Sequence, residues 1–425
     1  MTQPRYQRRH SRWYEVILLG LPFQLIAGVI WAVLLPSLER WGWGFWQFMP
    51  DYRSNTVIAT ALATLCSLLT LRHLIRFPSV RQSAYIWPTV TVVFLIIGAM
   101  FLFTREAYTR QVLFHSYLMT LLWCYAGYFM GRRYRRLKFA IVPFGKTHHL
   151  IPTRQADFRF LSQPDLTHVR VDGVVADLRA QEIPPQWEHF LADCTLNWIP
   201  VYHVRQIQES LSGRVEIDHL SENEFGSLLP SRLYTFAKRL IDTVAALLLL
   251  PLLTPLMLVI ALLIRLDSPG PALFVQTRVG YRARAFRMVK FRTMYAKAQG
   301  SAFTQEGNDP RITRVGHWLR KYRLDELPQI INVLKGEMSF IGPRPESLTL
   351  SCRYTRTVPF FSYRHVVKPG ITGWAQVEQG YAAERDAMLV KLQYDFYYIK
   401  HYSLWLDILI AFKTLRIIAT GFGSR

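Results

Sequence analysis

Four apolar stretches lie in the first third of the chain: Tyr14–Pro36, Thr56–Ile75, Tyr85–Phe103 and Val112–Met130. Each has about the 20 residues that a helix needs to cross a hydrocarbon core. In lipid every backbone N–H and C=O must find a partner inside its own segment, so helices are expected. Basic residues crowd before the first stretch (Arg5, Arg8, Arg9, Arg12), between the second and third (Arg72, Arg76, Arg81) and after the fourth (Arg132 to Lys138). The loop between the first and second is charge-balanced, and the loop between the third and fourth carries only Arg105, Glu106 and Arg110. The positive-inside rule then puts both ends of this part in the cytoplasm. Apart from Glu15 at the edge of the first stretch, no acid sits inside a span, so nothing suggests a proton or ion pathway, and a transporter loses ground. A cleavable signal peptide is not expected, because the basic start runs into a long span without a small-residue cleavage site.

Charge divides the remainder. Residues 1–138 hold 16 basic and 4 acidic residues, 139–230 hold 7 and 12, and 231–425 hold 28 and 13. An acidic middle between basic ends marks three domains: 1–138, 139–230 and 231–425. The overall charge of +22 suits an anionic membrane face or phosphorylated substrates. No nucleic-acid-binding motif appears, and nucleic acid is not expected as a partner. Cys66, Cys124, Cys194 and Cys352 form no CxxC pair, which argues against a zinc site or a disulfide framework.

The middle part alternates short apolar runs (Phe139–Phe144, Val169–Val175, Trp198–Val204) with polar helical stretches. This predicts a small α/β unit of parallel strands. No GxGxxG follows the first strand, so a dinucleotide site has no support.

A fifth apolar run, Val244–Ile264, is flanked on both sides by basic residues: Lys238 and Arg239 before it, Arg265, Arg278, Arg282, Arg284 and Arg287 after it. Both flanks want the cytoplasm. A segment that enters and returns on one side satisfies both. Pro251 and Pro255 supply the bend, and Thr254 can bond a freed carbonyl. The competing arrangement is a kinked helix that crosses.

The chemistry gathers later. Asp325 and Glu326 precede an apolar helical pattern, Leu327, Ile330, Ile331 and Leu334, closed by Gly336 as a helix C-cap. Pro328 is tolerated only in a first turn, which puts Asp325 at or near the N-cap. Adjacent acids there can be a cap. They can equally be a nucleophile and a metal ligand working on a phosphate, given the cations Lys290, Arg292, Arg320 and Arg344.

Three blocks carry a resemblance: KFRTM (Lys290–Met294), LDELPQIINVLKGEMSFIGPRP (Leu324–Pro345) and KPGITGWAQV (Lys368–Val377). Over roughly Ser231 to Arg425 the chain resembles the bacterial sugar transferase family, the polyprenyl-phosphate hexose-1-phosphate transferases that begin exopolysaccharide and O-antigen synthesis. The first half resembles the large members of that family. The resemblance implies an α-rich membrane protein: a four-helix transmembrane bundle, a small cytoplasmic α/β domain, and a monotopic catalytic domain with a re-entrant helix at about 236–265. It implies that Asp325 attacks the β-phosphorus of a UDP-sugar and releases UMP. A polyprenyl phosphate then takes the sugar phosphate from the aspartyl intermediate. Glu326 matches a Mg²⁺ ligand, and Lys290, Arg320 and Arg344 match positions near the phosphates. Arg292 is a further candidate there. Two departures stand out: the usual Ser-Pro of the bend is Thr254-Pro255, and Tyr322 and Arg323 replace small hydroxylic residues.

The expected partners are a UDP-sugar (UDP-glucose or UDP-galactose, from the long architecture), a polyprenyl phosphate and membrane lipids, with a homodimer left open. The expected place is the bacterial inner membrane, with catalysis on its cytoplasmic face. A glycosyltransferase releasing UDP would normally carry a DxD, and none occurs. A non-catalytic scaffold remains as a third reading. KPGITG reads either as part of the site or as a tight turn. The tail, Leu404 to Ala419, alternates Trp405, Leu406, Leu409 and Phe412 with Asp407, Lys413 and Arg416. It reads as an amphipathic helix on the membrane, with a core-packing helix as the competing arrangement.

Overall fold

The computed structural model describes residues 13–18, 20–75, 77–78, 82–131, 137–150, 156–167, 169–180, 182–215, 229–295, 309–379 and 385–420. The chain divides into two compact units, Met1–Gly213 and Arg214–Arg425.

The first unit opens with a short helix α1 (Trp13–Leu18) and then α2 (Leu21–Val29), which continues through one π turn, Ile30–Leu34, into α3 (Leu35–Trp41). Three long helices follow: α4 (Asp51–Leu74), α5 (Gln82–Thr104) and α6 (Arg110–Gly131). By length and composition, Leu21–Trp41, Asp51–Leu74 and Ser83–Thr104 can each cross a membrane. The first span thus starts later than the predicted Tyr14. The fourth predicted span, Val112–Met130, lies in α6, which is 22 residues long but is not among the helices that pass on composition. His115, Ser116, Tyr117 and Thr120 lower its hydropathy.

Packing in this unit is inverted relative to a soluble protein. Small and hydroxylic residues are buried on α4 (Thr56, Ala59, Thr60, Ala63, Thr64, Ser67) and on α6 (Ser116, Thr120, Cys124), while Leu95, Ile96 and Phe103 face outward. Lipid tails offer apolar side chains as much as a protein core does, so close approach and hydroxyl bonds hold such helices together. Thr64 Oγ1 meets Thr120 Oγ1 at 2.9 Å. Thr60 and Ser67 return their hydroxyls to carbonyls one turn back. A Cβ on Gly28 would lie 2.7 Å from Trp123 Nε1, so that helix pair needs glycine.

Past α6 comes a four-stranded parallel sheet of β1 (Leu137–Ile141), β2 (Ala156–Phe160), β3 (Gly173–Ala176) and β4 (Val201–His203), in the order β2-β1-β3-β4. Its faces alternate as strand geometry requires. Ala140, Val174 and Ala176 pack with Trp187, Phe190 and Leu191 of α7 (Pro185–Leu196). Phe139, Ile141 and Val175 pack with Val204 and Ile207 of α8 (Val204–Ser212). The predicted parallel α/β unit is present, with β2 as a strand that the apolar runs did not signal. The sheet begins at Leu137 rather than 139. The compact division falls after Gly213 rather than after residue 230, and residues 216–228 lie outside the described part. All four cysteines are free.

The second unit begins on a 36-residue helix, α9 (Arg232–Asp267), which is also long and apolar enough to cross a membrane. Pro251 and Pro255 lie inside it without interrupting it, so the sequence-based break at Pro251, Thr254 and Pro255 is not a gap in the helix. Two prolines one turn apart each remove a single donor, and a long helix can bend rather than break. They free the carbonyls of Leu247 and Pro251. The Thr254 hydroxyl goes instead to Leu250 O, at 2.7 Å.

One stripe of α9 stays on the rest of this unit throughout. Asp242, Ala246, Leu250, Leu253, Met257, Ile260 and Ile264 recur every three or four residues on the inner side. Leu248, Leu252, Leu258, Leu262 and Leu266 are exposed. Beneath the stripe lie an antiparallel ribbon, β5 (Leu273–Val279) with β6 (Ala285–Phe291), then α10 (Arg314–Lys321) and α11 (Ile330–Lys335). Gly336 caps α11 at φ 83°, as the sequence predicts, and Arg239 of α9 donates to the carbonyls of Val333 and Leu334 there. A second pair of strands, β7 (Ser339–Ile341) and β8 (Gly370–Thr372), runs parallel, and α12 (Leu348–Thr357), α13 (Trp374–Glu378), α14 (Arg385–Lys400) and α15 (Leu404–Thr420) complete the unit.

The tail helix α15 is a packing helix along its first half. Leu406, Leu409 and Ile410 are fully buried, and Asp407 accepts from Tyr234, Lys238 and Tyr398 at 2.6, 2.5 and 2.8 Å. A buried carboxylate met by three donors belongs to a core, not to a membrane surface.

Candidate active site

Asp325 and Glu326 sit in a 3-10 turn, Leu324–Gln329, that leads into α11. The turn starts at Arg323, whose backbone is left-handed (φ 54°, ψ 24°). The predicted N-terminal position of the acids is therefore right, but the first turn is 3-10, with Pro328 inside it.

The two carboxylates differ. Glu326 is buried and its Oε1 accepts from Arg344 Nη2 at 2.7 Å. Burial pushes its carboxyl up, but Arg344, Arg323 and Lys290 together pull it below the ordinary range. Asp325 has no side-chain hydrogen bond or ion pair with any described residue. Burial, and then the negative neighbour Glu326, raise its carboxyl to about 6, against the pull of Lys290, Arg344 and Arg320. One acid is thus held and ionised, and the other is left open.

The cations divide the same way. Lys290, on β6 opposite Phe274, has its Nζ 5.7 Å from that ring's centroid and no hydrogen bond to a described residue. Burial, then Arg344, lowers it to about 8. Arg320, in the last turn of α10, donates from Nε to Thr293 Oγ1 at 2.9 Å. Arg292 does not join the group. Its guanidinium donates to Ser268 O, Ser268 Oγ and Pro269 O at 2.7, 2.9 and 2.9 Å, closing the C-terminus of α9. The carbonyls at that helix end lack internal partners, and Arg292 supplies them. It holds α9 in place; the expectation that it binds phosphate has no geometric support.

The loop carrying Arg344 is clamped from behind. Gly342 N donates to Thr372 O at 2.8 Å and Gly370 N to Pro343 O at 3.0 Å. A Cβ on Gly370 would lie 2.1 Å from Gly342 N. KPGITG is therefore the backing strand of the Gly342–Pro345 loop. Arg364, nearly fully buried, donates to Arg344 O at 2.8 Å and forms an ion pair with Asp395 at 2.8 Å; Arg278 donates to Pro345 O at 3.1 Å. Lys391 pairs with Glu346, and burial's upward push on that carboxyl is outweighed by Lys391 and Arg364, to about 2. Arg278, Arg323, Glu346, Arg364 and Asp395 were missed as site residues. The only signals were an acid directly after Pro345 and an Arg just before KPG.

The described residues contain no cluster of three or more metal-binding side chains. Two adjacent carboxylates suit Mg²⁺, which takes one or two carboxylates and fills its other positions with phosphate oxygens and water. Glu326 has its second oxygen, Oε2, without a partner among the described residues. The donor set fits Mg²⁺.

An uncommitted acid, a held acid and nearby cations are the kinds of group that phosphoryl transfer uses. Residues 233–421 match the family described as Bacterial sugar transferase. Over 423 residues, 99% of this chain and 100% of the relative, the chain is 53% identical to a UDP-N-acetylgalactosamine-undecaprenyl-phosphate N-acetylgalactosaminephosphotransferase of Aeromonas hydrophila. It is 44% identical to a UDP-glucose:undecaprenyl-phosphate glucose-1-phosphate transferase of Escherichia coli, over 42% of this chain and 39% of that one. A UDP-galactose-lipid carrier transferase of Erwinia amylovora is 36% identical over 44% of this chain and 42% of its own length. The chain belongs to the bacterial sugar transferase family. It is a transferase.

Proposed function

We propose that the protein moves a sugar-1-phosphate from a UDP-sugar to a polyprenyl phosphate through a covalent intermediate on Asp325. The observation that carries this is the contrast between the two acids: Glu326 is tied to Arg344, and Asp325 is desolvated and unpartnered. The Asp325 carboxylate attacks the β-phosphorus. The bond from that phosphorus to the bridging oxygen breaks, and UMP leaves with the electron pair. An oxygen of the acceptor phosphate then attacks the same phosphorus and frees the carboxylate. Lys290 and Arg320 hold the phosphate oxygens, and Arg344, fixed by its clamped loop, orients Glu326 and faces the developing charge. Mg²⁺ held by Glu326 would supply charge neutralisation on the diphosphate.

The sugar is N-acetylgalactosamine in this reading, which replaces the expected glucose or galactose. The relative that aligns end to end bears that name, whereas the relatives named for glucose and galactose align over less than half of this chain. The product would begin a cell-surface polysaccharide at the cytoplasmic face of the inner membrane. The continuous inner stripe of α9 supports a re-entrant helix: a helix that stays on the catalytic unit from Asp242 to Ile264 enters and leaves on that unit's own side.

Purified protein given polyprenyl phosphate, Mg²⁺ and UDP-N-acetylgalactosamine should release UMP, faster than with UDP-glucose or UDP-galactose. Asp325→Asn should abolish turnover and the phosphosugar adduct. UDP as the product, or an adduct mapped to another residue, would overturn the reading.

A further inference from the structure

The strained backbone at Arg323 lies immediately before the acid pair. A left-handed conformation costs a non-glycine residue about 1 kcal/mol or more, and such strain concentrates where a surrounding structure imposes it. The turn imposes it here: Arg323 N donates to Arg320 O at 3.1 Å, and Glu326 N donates back to Arg323 O at 3.2 Å. Nothing in that backbone bonding uses the guanidinium, so a residue that tolerates φ 54° better, such as Gly or Asn, would serve the fold.

Arg323 lies two residues before Asp325, and its carbonyl is tied to the N–H of Glu326, which keeps it beside the acid pair. Its charge acts on Glu326, Asp325 and Arg344. It is half-buried, and no hydrogen bond or ion pair joins it to any described residue. Glu326 is already engaged by Arg344. A guanidinium has five N–H donors in a flat fork, and one desolvated without a partner is costly unless a ligand completes it. Among the neighbouring guanidinium groups, Arg344 is engaged with Glu326, Arg320 with Thr293 and Arg292 with the end of α9.

We infer that Arg323 is a phosphate-binding residue of this enzyme, whose free guanidinium takes oxygens of a phosphoryl group beside Asp325. This rests on the phosphotransferase reading above. The group is either the diphosphate of the UDP-sugar or the phosphate of the acceptor lipid, since both must pass Asp325.

The test uses the full-length protein in nanodiscs, with UMP release measured against each substrate in turn. Arg323→Gln should lower kcat/KM by about tenfold to a hundredfold, the size of a charged hydrogen bond lost. A loss confined to the donor titration assigns the diphosphate; one confined to the acceptor titration assigns the lipid phosphate. Arg323→Lys should recover part of the loss. Arg323→Gly separates function from folding: its Tm should equal or exceed that of the wild type while its activity falls with that of Arg323→Gln. Kinetics within twofold of the wild type in Arg323→Gln would overturn the proposal. So would a variant whose plateau rate is normal and whose acidic limb alone moves, because that would make Arg323 only a partner that keeps Glu326 ionised. Retained activity in Asp325→Asn would instead defeat the underlying reading, whatever Arg323 does.

Discussion

Arg344 Nη2 lies 2.7 Å from Glu326 Oε1, 18 positions along the chain and from a different loop. That bond makes the two acids unequal, because it spends one oxygen of Glu326 and none of Asp325. It also fixes which part of Glu326 remains for a metal. Glu326→Gln keeps an oxygen that can accept from Arg344, so the fold should hold, with Tm within a degree or two. The remaining oxygen is replaced by an amide nitrogen, which cannot ligate. The Mg²⁺ titration of turnover should then shift at least about tenfold to higher concentration. A midpoint identical to that of the wild type would remove Glu326 as the metal ligand.

The pH dependence should be a narrow bell. As pH falls through about 6, Asp325 takes a proton and the nucleophile is lost. As pH rises through about 8, Lys290 loses its proton and with it the charge on the phosphate. Both limbs belong to the free enzyme and therefore to kcat/KM. Lys290→Arg tests the second limb, since arginine stays charged at any pH the assay can reach. The alkaline limb should vanish and the acidic limb stay. An unchanged alkaline limb would show that another group titrates there.

The blocks around Lys290, Asp325 and Arg344 could be read from the sequence because each pairs a chemical residue with a local stop: a proline, a glycine or a cap. The parallel sheet was legible through its apolar runs, and Gly336 through its place after the last helical apolar residue. What was not legible depends on contacts far along the chain. Arg292 looked like Lys290's companion until Ser268 and Pro269, more than twenty residues earlier, claimed it. Asp407 looked like the polar face of a membrane-surface helix, because its donors Tyr234 and Lys238 are some 170 residues away. Beta strand β2, with Asp157 and Arg159 exposed to one side, gave no apolar run at all. Spacing reports a face, and it does not report what the face meets.

The glycines behind the Arg344 loop give a steric test. Gly370 has no positive φ, so alanine is tolerated by its backbone, but the added Cβ would lie 2.1 Å from Gly342 N and 2.5 Å from Thr372 O. The clamp must open. Gly370→Ala should cost about 1–3 kcal/mol of stability, as overpacking does. It should also reduce turnover well below the melting transition, because Arg344 loses its position relative to Glu326. Wild-type kinetics in a stably folded Gly370→Ala protein would show that the loop's position does not govern the rate.

Helix α9 carries the prediction about the membrane. Its inner stripe, Asp242 to Ile264, packs on the catalytic unit, while Leu248, Leu252, Leu258 and Leu262 point away. A straight helix of 36 residues would be about 54 Å long, more than enough to cross a bilayer core of about 30 Å. Two things resist crossing: the packed stripe, and the bend allowed where Pro251 and Pro255 withhold their N–H groups. Replacing both prolines by alanine restores those two bonds and favours a straight span. The double variant should lose activity in cells, and single cysteines placed at Ser231 and Pro269, both exposed, should become reachable from opposite sides of the membrane. In the wild type both should label from the cytoplasmic side only. Labelling of the wild-type positions from opposite sides would mean that α9 crosses, and the re-entrant arrangement would have to be abandoned.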